Sequence, residues 1–576
     1  MNSKRNAGST MVAAVVFTSI VAVVVGVAVT STAHVARNTQ RSKLRDGAVA
    51  TGDTYLEWAF AQWRAACRLQ PNRNLPTSEI TINEPPAGLL TEPLGFSIVP
   101  GSYQVTAVDP MLKPMGANNG PKPGKGQDAG ESSYHYLASV DVTVPAMAKP
   151  DITVKLRRVF EKHLESPWRY AIFYNDMLEI HPSPKFTVDG WVHTNGDLYA
   201  TPDGGNLLEF LDRVTYGSTY KQGYAEGNYV WRGKPSNGPA PTYSDDLPPA
   251  RDIRKDPFGI TPEQFDTSDT NKNNDGYREL IERPESGSDL LAGPDGENPR
   301  FYSKAGLKIL VDGNNKVTIK DSADRTVVAS GAPNATTVVN PTMYNEVISS
   351  ITTNQSIQDN REAASVRLVT VNVGAIETAK IAGWNGVVYV SDTSASQTGG
   401  SPKRGVRVRN GATLPTGGLT IVSDNPVYIQ GDYNTSANRQ PSAVIGDAVM
   451  ILSNAWTDSG SAQSLANRKA SNTTVNTAIL GGVVPTITTV NNNTAYSGGV
   501  ENFPRFLEEW AGKTFTYNGS MVQLFQSNQA TGRWGKSNVY GAPGRKWAFD
   551  PMFRENPPPG TFFITTYVKQ RWFVAQ

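Results

Sequence analysis

The sequence predicts a mainly β protein carried on one long N-terminal α-helix, the β part forming a β-helix or solenoid, with a β-sandwich as the competing arrangement. Three observations carry this. Residues 11–30 are apolar and uncharged, and no proline occurs before Pro71. Short segments rich in valine and isoleucine recur between Gly, Asn and Asp. The 576 residues include 52 Gly and 39 Pro with only 18% charged residues, a turn-rich composition.

The helix comes first. The run MVAAVVFTSIVAVVVGVAVT, at a rise of about 1.5 Å per residue, spans a hydrocarbon core of roughly 30 Å. A cleaved signal peptide would carry an apolar stretch of only about 7–15 residues, although the small residues Ser31, Thr32 and Ala33 follow the run. Beyond it, Leu44, Ala48, Leu56, Phe60, Trp63 and Cys67 recur at helical spacing, with Tyr55 and Ala59 thickening the stripe. Gly47 and Gly52 each cost a helix about 1 kcal/mol, which makes Gly52 a place for a break. Lys4 and Arg5 precede the run while Arg37, Arg41, Lys43 and Arg45 follow it, so basic residues alone do not orient it.

Lys4-Arg5-Asn6-Ala7-Gly8 followed by Ser9-Thr10-Met11 and the apolar helix resembles a prepilin-type (class III) leader, in particular that of PilX-like type IV pilus assembly proteins. The resemblance implies cleavage between Gly8 and Ser9 by a prepilin peptidase, and a helix that anchors the chain in the bacterial inner membrane. It also implies a periplasmic or extracellular bulk and pilin-like subunits as partners, in a type IV pilus or a type II secretion-like machine. Major pilins carry a glutamate at the fifth mature position, and here Ala13 stands there. A carboxylate in hydrocarbon needs a partner, and a subunit at a filament tip has no predecessor to supply one.

The exported part then divides by composition. A β-rich region is expected over 70–200, with alternating strands at 134–144 and 152–160 paired to each other and short strands between the turn dipeptides of 171–200. Residues 201–364 read as a polar insertion with short strands, least β-like over 201–299. Residues 365–497 read as β-helix-like, with strands at 386–391, 405–409, 418–423, 426–430, 442–445, 448–452 and 478–484. Residues 498–576, which begin GGVENFPRFLEEW and hold Trp510, Trp534, Trp547 and Trp572, read as a short helix start and a cap over the open end of the stack. With 1–8 as leader and 9–69 as helix, this completes the division. The stretches FYNDMLEIHPSP, GWVHTNGDLY, LTIVSDNPVYIQGDYN, DAVMILSNAW and GGVENFPRFLEEW also resemble large PilX-like proteins, a group to which no chemistry attaches.

Sites are sparse. Asn271, Asn273, Asp275, the Tyr277 carbonyl, Glu279 and Glu282 stand at the first, third, fifth, seventh, ninth and twelfth places of an EF-hand-like loop, with Gly276 at the sixth. Hard oxygen donors at that spacing wrap Ca2+. Asn in place of Asp at the first position and Arg278 at the eighth depart from the pattern, and a solvated turn capping a short helix is the alternative. No other cofactor is called for. His181 and His193 flank a turn without a third ligand at zinc spacing and read as surface residues. Asp189, Asp197, Asp424, Asp432 and Asp447 lie at strand ends, where turn chemistry accounts for them better than paired-acid catalysis. The chain has no phosphate loop, no Gly-x-Ser-x-Gly and no His-Glu-x-x-His. It therefore reads as a non-enzymatic assembly protein, with an envelope adhesin on a plain anchor as the alternative and a carbohydrate-active enzyme behind it. A formal charge of +2 with no basic stripe argues against nucleic acid. The single Cys67 excludes an internal disulfide.

Overall fold

The computed structural model describes residues 6–575 except 69–76, 87–94, 110, 114–121, 124–130, 145–152, 184, 204–206, 226–235, 245–247, 253–254, 256–275, 285–298, 396–399, 488–495, 535–537, 555 and 562–563. The protein is mainly β with one long N-terminal helix, and its chain forms two compact units. One comprises residues 1–122, 133–163 and 566–576, the other 123–132 and 164–565. Each unit therefore draws on several of the segments that composition separates.

In the first unit the helix Asn6–Arg68 runs without interruption through Gly47 and Gly52. The glycines are there for approach. A Cβ at Gly52 would lie 2.9 Å from Leu156 Cδ1 and 3.2 Å from Val142 Cγ2, and one at Gly47 would lie 2.8 Å from Phe96 Cζ. Losing two side chains lets the helix backbone come down onto the sheet, and that packing offsets the propensity cost. The sheet takes the strands Ser97–Ile98, Glu131–Thr143, Thr153–Glu165 and Ile564–Lys569 in that order, so the two long strands predicted to pair do so. Gln104–Val108 adds to the 131–143 strand antiparallel, with Gln104 opposite Ser139 and Val108 opposite His135. Phe573–Val574, near the C-terminus, adds antiparallel to the 153–165 strand.

The second unit is built from parallel strands that return to the same sheet after a short excursion. Tyr170–Tyr174, Leu178–Ile180 and Phe186–Val188 fall in three different sheets, and Trp191–Thr194, Leu198–Ala200 and Leu208–Phe210 pair with them in the same order. Val214–Tyr216, Tyr220–Lys221 and Thr242–Tyr243 repeat the sequence of sheets, and Ala250–Arg251 pairs with Val214–Tyr216. Like residues stack: Leu178 on Leu198, and Ile172, Val192 and Val214 in one row. Side chains of paired strands meet across the sheet, as His193 does Thr215, 22 residues on.

The later block behaves alike. Val387–Asp392, Leu419–Val422, Ser442–Gly446, Ala478–Val483 and Met521–Gln526 form successive parallel neighbours of one sheet. Lys403–Arg409, Val427–Gln430, Val449–Leu452 and Pro504–Phe506 do the same in another. Strands such as 387–392, 419–422 and 449–452 are buried along their whole length, which explains why they read as continuous Val/Ile runs and not as alternations. The stretch 201–299, expected to be poor in strands, supplies Leu208–Phe210, Val214–Tyr216, Tyr220–Lys221, Thr242–Tyr243 and Ala250–Arg251. Met521–Gln526, from the C-terminal stretch, lies between the 478–483 and 170–174 strands and is interior to the sheet. The helix start read at 498–510 is a single 3-10 turn, Val500–Asn502, followed by a strand, because Pro504 removes the donor a helix would need there.

Candidate functional site

The N-terminal helix is the feature with the clearest physical purpose. Its apolar run is bare: Met11 is 73% exposed and Phe17 68%, and none of the most apolar window is buried. It is the one helix among the described residues long and apolar enough to cross a membrane. The hydroxyls within it are satisfied internally. Thr18 Oγ1 donates to the Ala14 carbonyl at 2.6 Å, Ser19 Oγ to Val15 at 2.7 Å and Thr30 Oγ1 to Gly26 at 2.9 Å. In hydrocarbon an unsatisfied donor costs several kcal/mol, so these back-bonds make the polar residues compatible with lipid.

From Ala48 onward the same helix changes character. Ala48, Leu56, Ala59, Trp63 and Cys67 are fully buried and Tyr55 nearly so, while Leu44 and Phe60 of the predicted stripe are half-buried. Trp63 is surrounded by rings, with centroids at 5.0 Å for Tyr136, 5.3 Å for Phe160 and 5.7 Å for both Phe60 and Tyr567. Charges bind the rim. Arg158 donates to Glu57 Oε1 and to Asp53 Oδ1, each at 2.7 Å, and Lys569 pairs with the second oxygen of Glu57. Burial works to raise the Glu57 carboxyl, and the two cations together overcome it and hold the group below its usual range. Cys67 lies in this core, its thiol pushed up to about 11 by burial, which leaves it protonated and inert at neutral pH.

No family model and no curated protein matches the chain. Among solved structures, the crystal structure of competence-associated pilin ComZ from Thermus thermophilus aligns with 90% of this chain and 98% of its own, at 11% identity and a TM-score of 0.26. A likeness at that score carries no argument about fold or function.

The remaining predicted residues are dispersed. Gly8 and Ser9 lie in the first turns of the helix. Of the calcium-like loop, Asn271, Asn273 and Asp275 lie outside the described residues. Tyr277, Glu279 and Glu282 are buried on the 3-10 turn Tyr277–Leu280 and just beyond it. Glu279 is paired with the fully buried Arg300, and Glu282 Oε1 forms an ion pair with Arg278 Nε at 2.6 Å. Among the described residues no cluster of three His, Cys, Asp or Glu is arranged to hold a metal.

His181 and His193, expected at the surface, are both buried, because each lies on the packed wall of the second unit. His193 stacks on Phe173 at 5.5 Å and bonds Thr215 at 2.7 Å and Asn195 at 2.9 Å, and burial pushes its pKa down to about 4. Of the strand-end acids, Asp424 and Asp447 are buried ion-pair partners of Arg283 and Arg278. Asp447 also accepts the backbone N–H groups of Asn528, Gln529 and Ala530 at 2.7, 3.1 and 2.6 Å, so its oxygens tie a turn together. The Arg158 bridge and the Arg278 pair have no local sequence signal: their partners are 101 and 169 residues away.

Proposed function

We propose that this chain is a non-enzymatic, PilX-like minor pilin or pseudopilin, held in the inner membrane by its N-terminal helix and displaying the rest outside the cytoplasm. One observation carries the reading. A single helix of 63 residues is apolar and bare in its first half and packed on the sheet of the first unit in its second, so one continuous helix joins a lipid-soluble stem to a folded unit. A signal peptide needs no such continuity, because it is cut away from the mature chain. On this reading a prepilin peptidase cuts between Gly8 and Ser9, and other pilin-like subunits contact the stem. Ala13 in place of the pilin glutamate fits a tip position.

We also infer that the second unit is a β-helix-like solenoid rather than a sandwich. The support is the recurrence of three sheets in fixed order with parallel stacking at steps of 20 and 22 residues, whereas a sandwich is dominated by antiparallel neighbours.

The test is Gly8→Val with the intact mass of membrane-extracted protein as the readout. Wild type is expected to lack residues 1–8, and the variant to retain them. Identical processing of both would leave a plain anchor and sink the pilin reading. Labelling spread along the shaft of sheared filaments would remove the tip position alone.

A further inference from the structure

The second unit contains a pocket some of whose lining residues carry buried polar atoms with no hydrogen-bond partner. It is lined by Tyr174, Asp176, Glu179, Arg361, Asn502 and Arg505 among others, with a volume of about 40 Å3. Three of its lining residues contribute an unpartnered buried atom: Tyr174 Oη, Glu179 Oε1 and Arg361 Nη1. Buried polar groups in folded proteins are bonded in the great majority, and each exception calls for an explanation.

The side chains are held in place by their other atoms. Ser497 Oγ donates to Glu179 Oε2 at 2.9 Å and Thr486 Oγ1 donates to the same oxygen, which orients the carboxylate and leaves Oε1 over. The nearest cationic candidate for Oε1, His181 Nε2, is 3.8 Å away and too far for a hydrogen bond. Arg361 Nε donates to the Gly532 carbonyl at 2.9 Å, and Arg505 is tied to the Ala530 carbonyl at 2.8 Å and Ser527 Oγ at 3.2 Å. Arg361 is only 4% exposed and makes no ion pair among the described residues. Burial and the neighbouring Arg505 lower its pKa to about 9, a cost that an anion in the pocket would reverse.

These groups select a chemistry. The guanidinium of Arg361 calls for an anionic acceptor, and water supplies no charge to offset it. Glu179 Oε1 calls for a donor, and a sulfate offers none. Tyr174 Oη takes either role. A volume of about 40 Å3 has room for the end of a molecule and not for a whole sugar ring. We propose that this pocket binds a hydroxycarboxylate group of the kind carried by uronic acids, with Arg361 receiving the carboxylate and Glu179 and Tyr174 the adjacent hydroxyl. The site goes beyond the assembly role and is independent of it, since no part of the N-terminal helix lines the pocket.

The experiment is calorimetric titration of the full chain in detergent with sodium D-glucuronate, with D-glucose and sodium sulfate as separate controls. Glucuronate is expected to bind with a dissociation constant on the order of 1 mM, and neither control to give heat. Arg361→Gln should weaken binding by at least about tenfold, since it removes a charge-assisted bond. Tyr174→Phe, which keeps the ring and its packing, should weaken it severalfold and serves if the arginine variant fails to fold. No heat from glucuronate, equal heat from sulfate, or unchanged affinity in a folded Arg361→Gln or Tyr174→Phe protein would overturn the proposal. A soaked crystal with only ordered water in the pocket would do the same.

Discussion

Replacing Trp63 by alanine tests whether the second half of the N-terminal helix is held by the sheet of the first unit. Trp63 is fully buried between four aromatic rings, and truncation of such a residue costs about 3–5 kcal/mol in lost transfer energy and cavity. One correction lowers that figure. Trp63 Nε1 has no hydrogen-bond partner, so the substitution also removes a buried unsatisfied donor worth about 1 kcal/mol or more. The net expectation is about 3 kcal/mol. Cys67, one turn further along the same core and the chain's single thiol, reports the opening directly. Thiol labelling under native conditions follows the population of the open state when closing is fast, so a loss of about 3 kcal/mol speeds it about a hundredfold. Trp572→Ala, at a residue 38% exposed, should leave the rate unchanged. An acceleration of less than about threefold for Trp63→Ala would refute the packing argument.

Three further outcomes rest on the buried groups and the strand order. Burial holds His193 at a pKa of about 4, below its ordinary 6.5, so its stabilising neutral state is complete above pH 6.5 and is lost as pH falls toward 4. The shift corresponds to about 3 kcal/mol, and His193→Gln should flatten the acid limb of a denaturation profile between those values; an identical limb would contradict it. Calcium titrated into the full chain at millimolar levels is expected to give no heat, because Glu279 and Glu282 are committed to Arg300 and Arg278; saturable binding would restore the EF-hand-like reading. Truncation before Met521 removes the strand between the 478–483 and 170–174 strands and leaves two unpaired edges, so the product should aggregate, which light scattering would register; a monodisperse product would count against the strand order.

Local patterning made much of this fold legible. The stripe from Ala48 to Cys67 has helical spacing because one face meets the sheet, and the seven short runs between 386 and 484 are strands because both faces are covered. Where the reading failed, the deciding contact was remote. The strands at 208–210 and 214–216 are short and half polar, and they form because finished strands at 186–188 and 191–194 offer parallel edges. His181 and His193 sit among turn residues and look exposed until the packing of the second unit buries them. The pocket is invisible along the chain, since Glu179 and Arg361 meet it from distant positions and carry no motif.

On the proposed reading, the helix stem constrains what kind of subunit this chain is. Through the apolar run the described side chains carry no charge, and each of Thr18, Ser19 and Thr30 spends its donor on its own backbone, so the stem offers a neighbour only shape. Association of such helices in lipid rests on close packing of small residues, and the run supplies Ala13, Ala14, Ala22, Gly26 and Ala28 for it. A glutamate at position 13 would demand a buried partner from an adjacent subunit, and alanine removes that demand. The stem therefore tolerates both a lipid surround and a packed one, which is what a subunit needs if it is to leave the membrane without a charged neighbour waiting for it. Introducing Ala13→Glu would restore the demand, and a subunit at a tip should then be retained in the membrane fraction when filaments are sheared off; unchanged recovery in the filaments would count against a tip position.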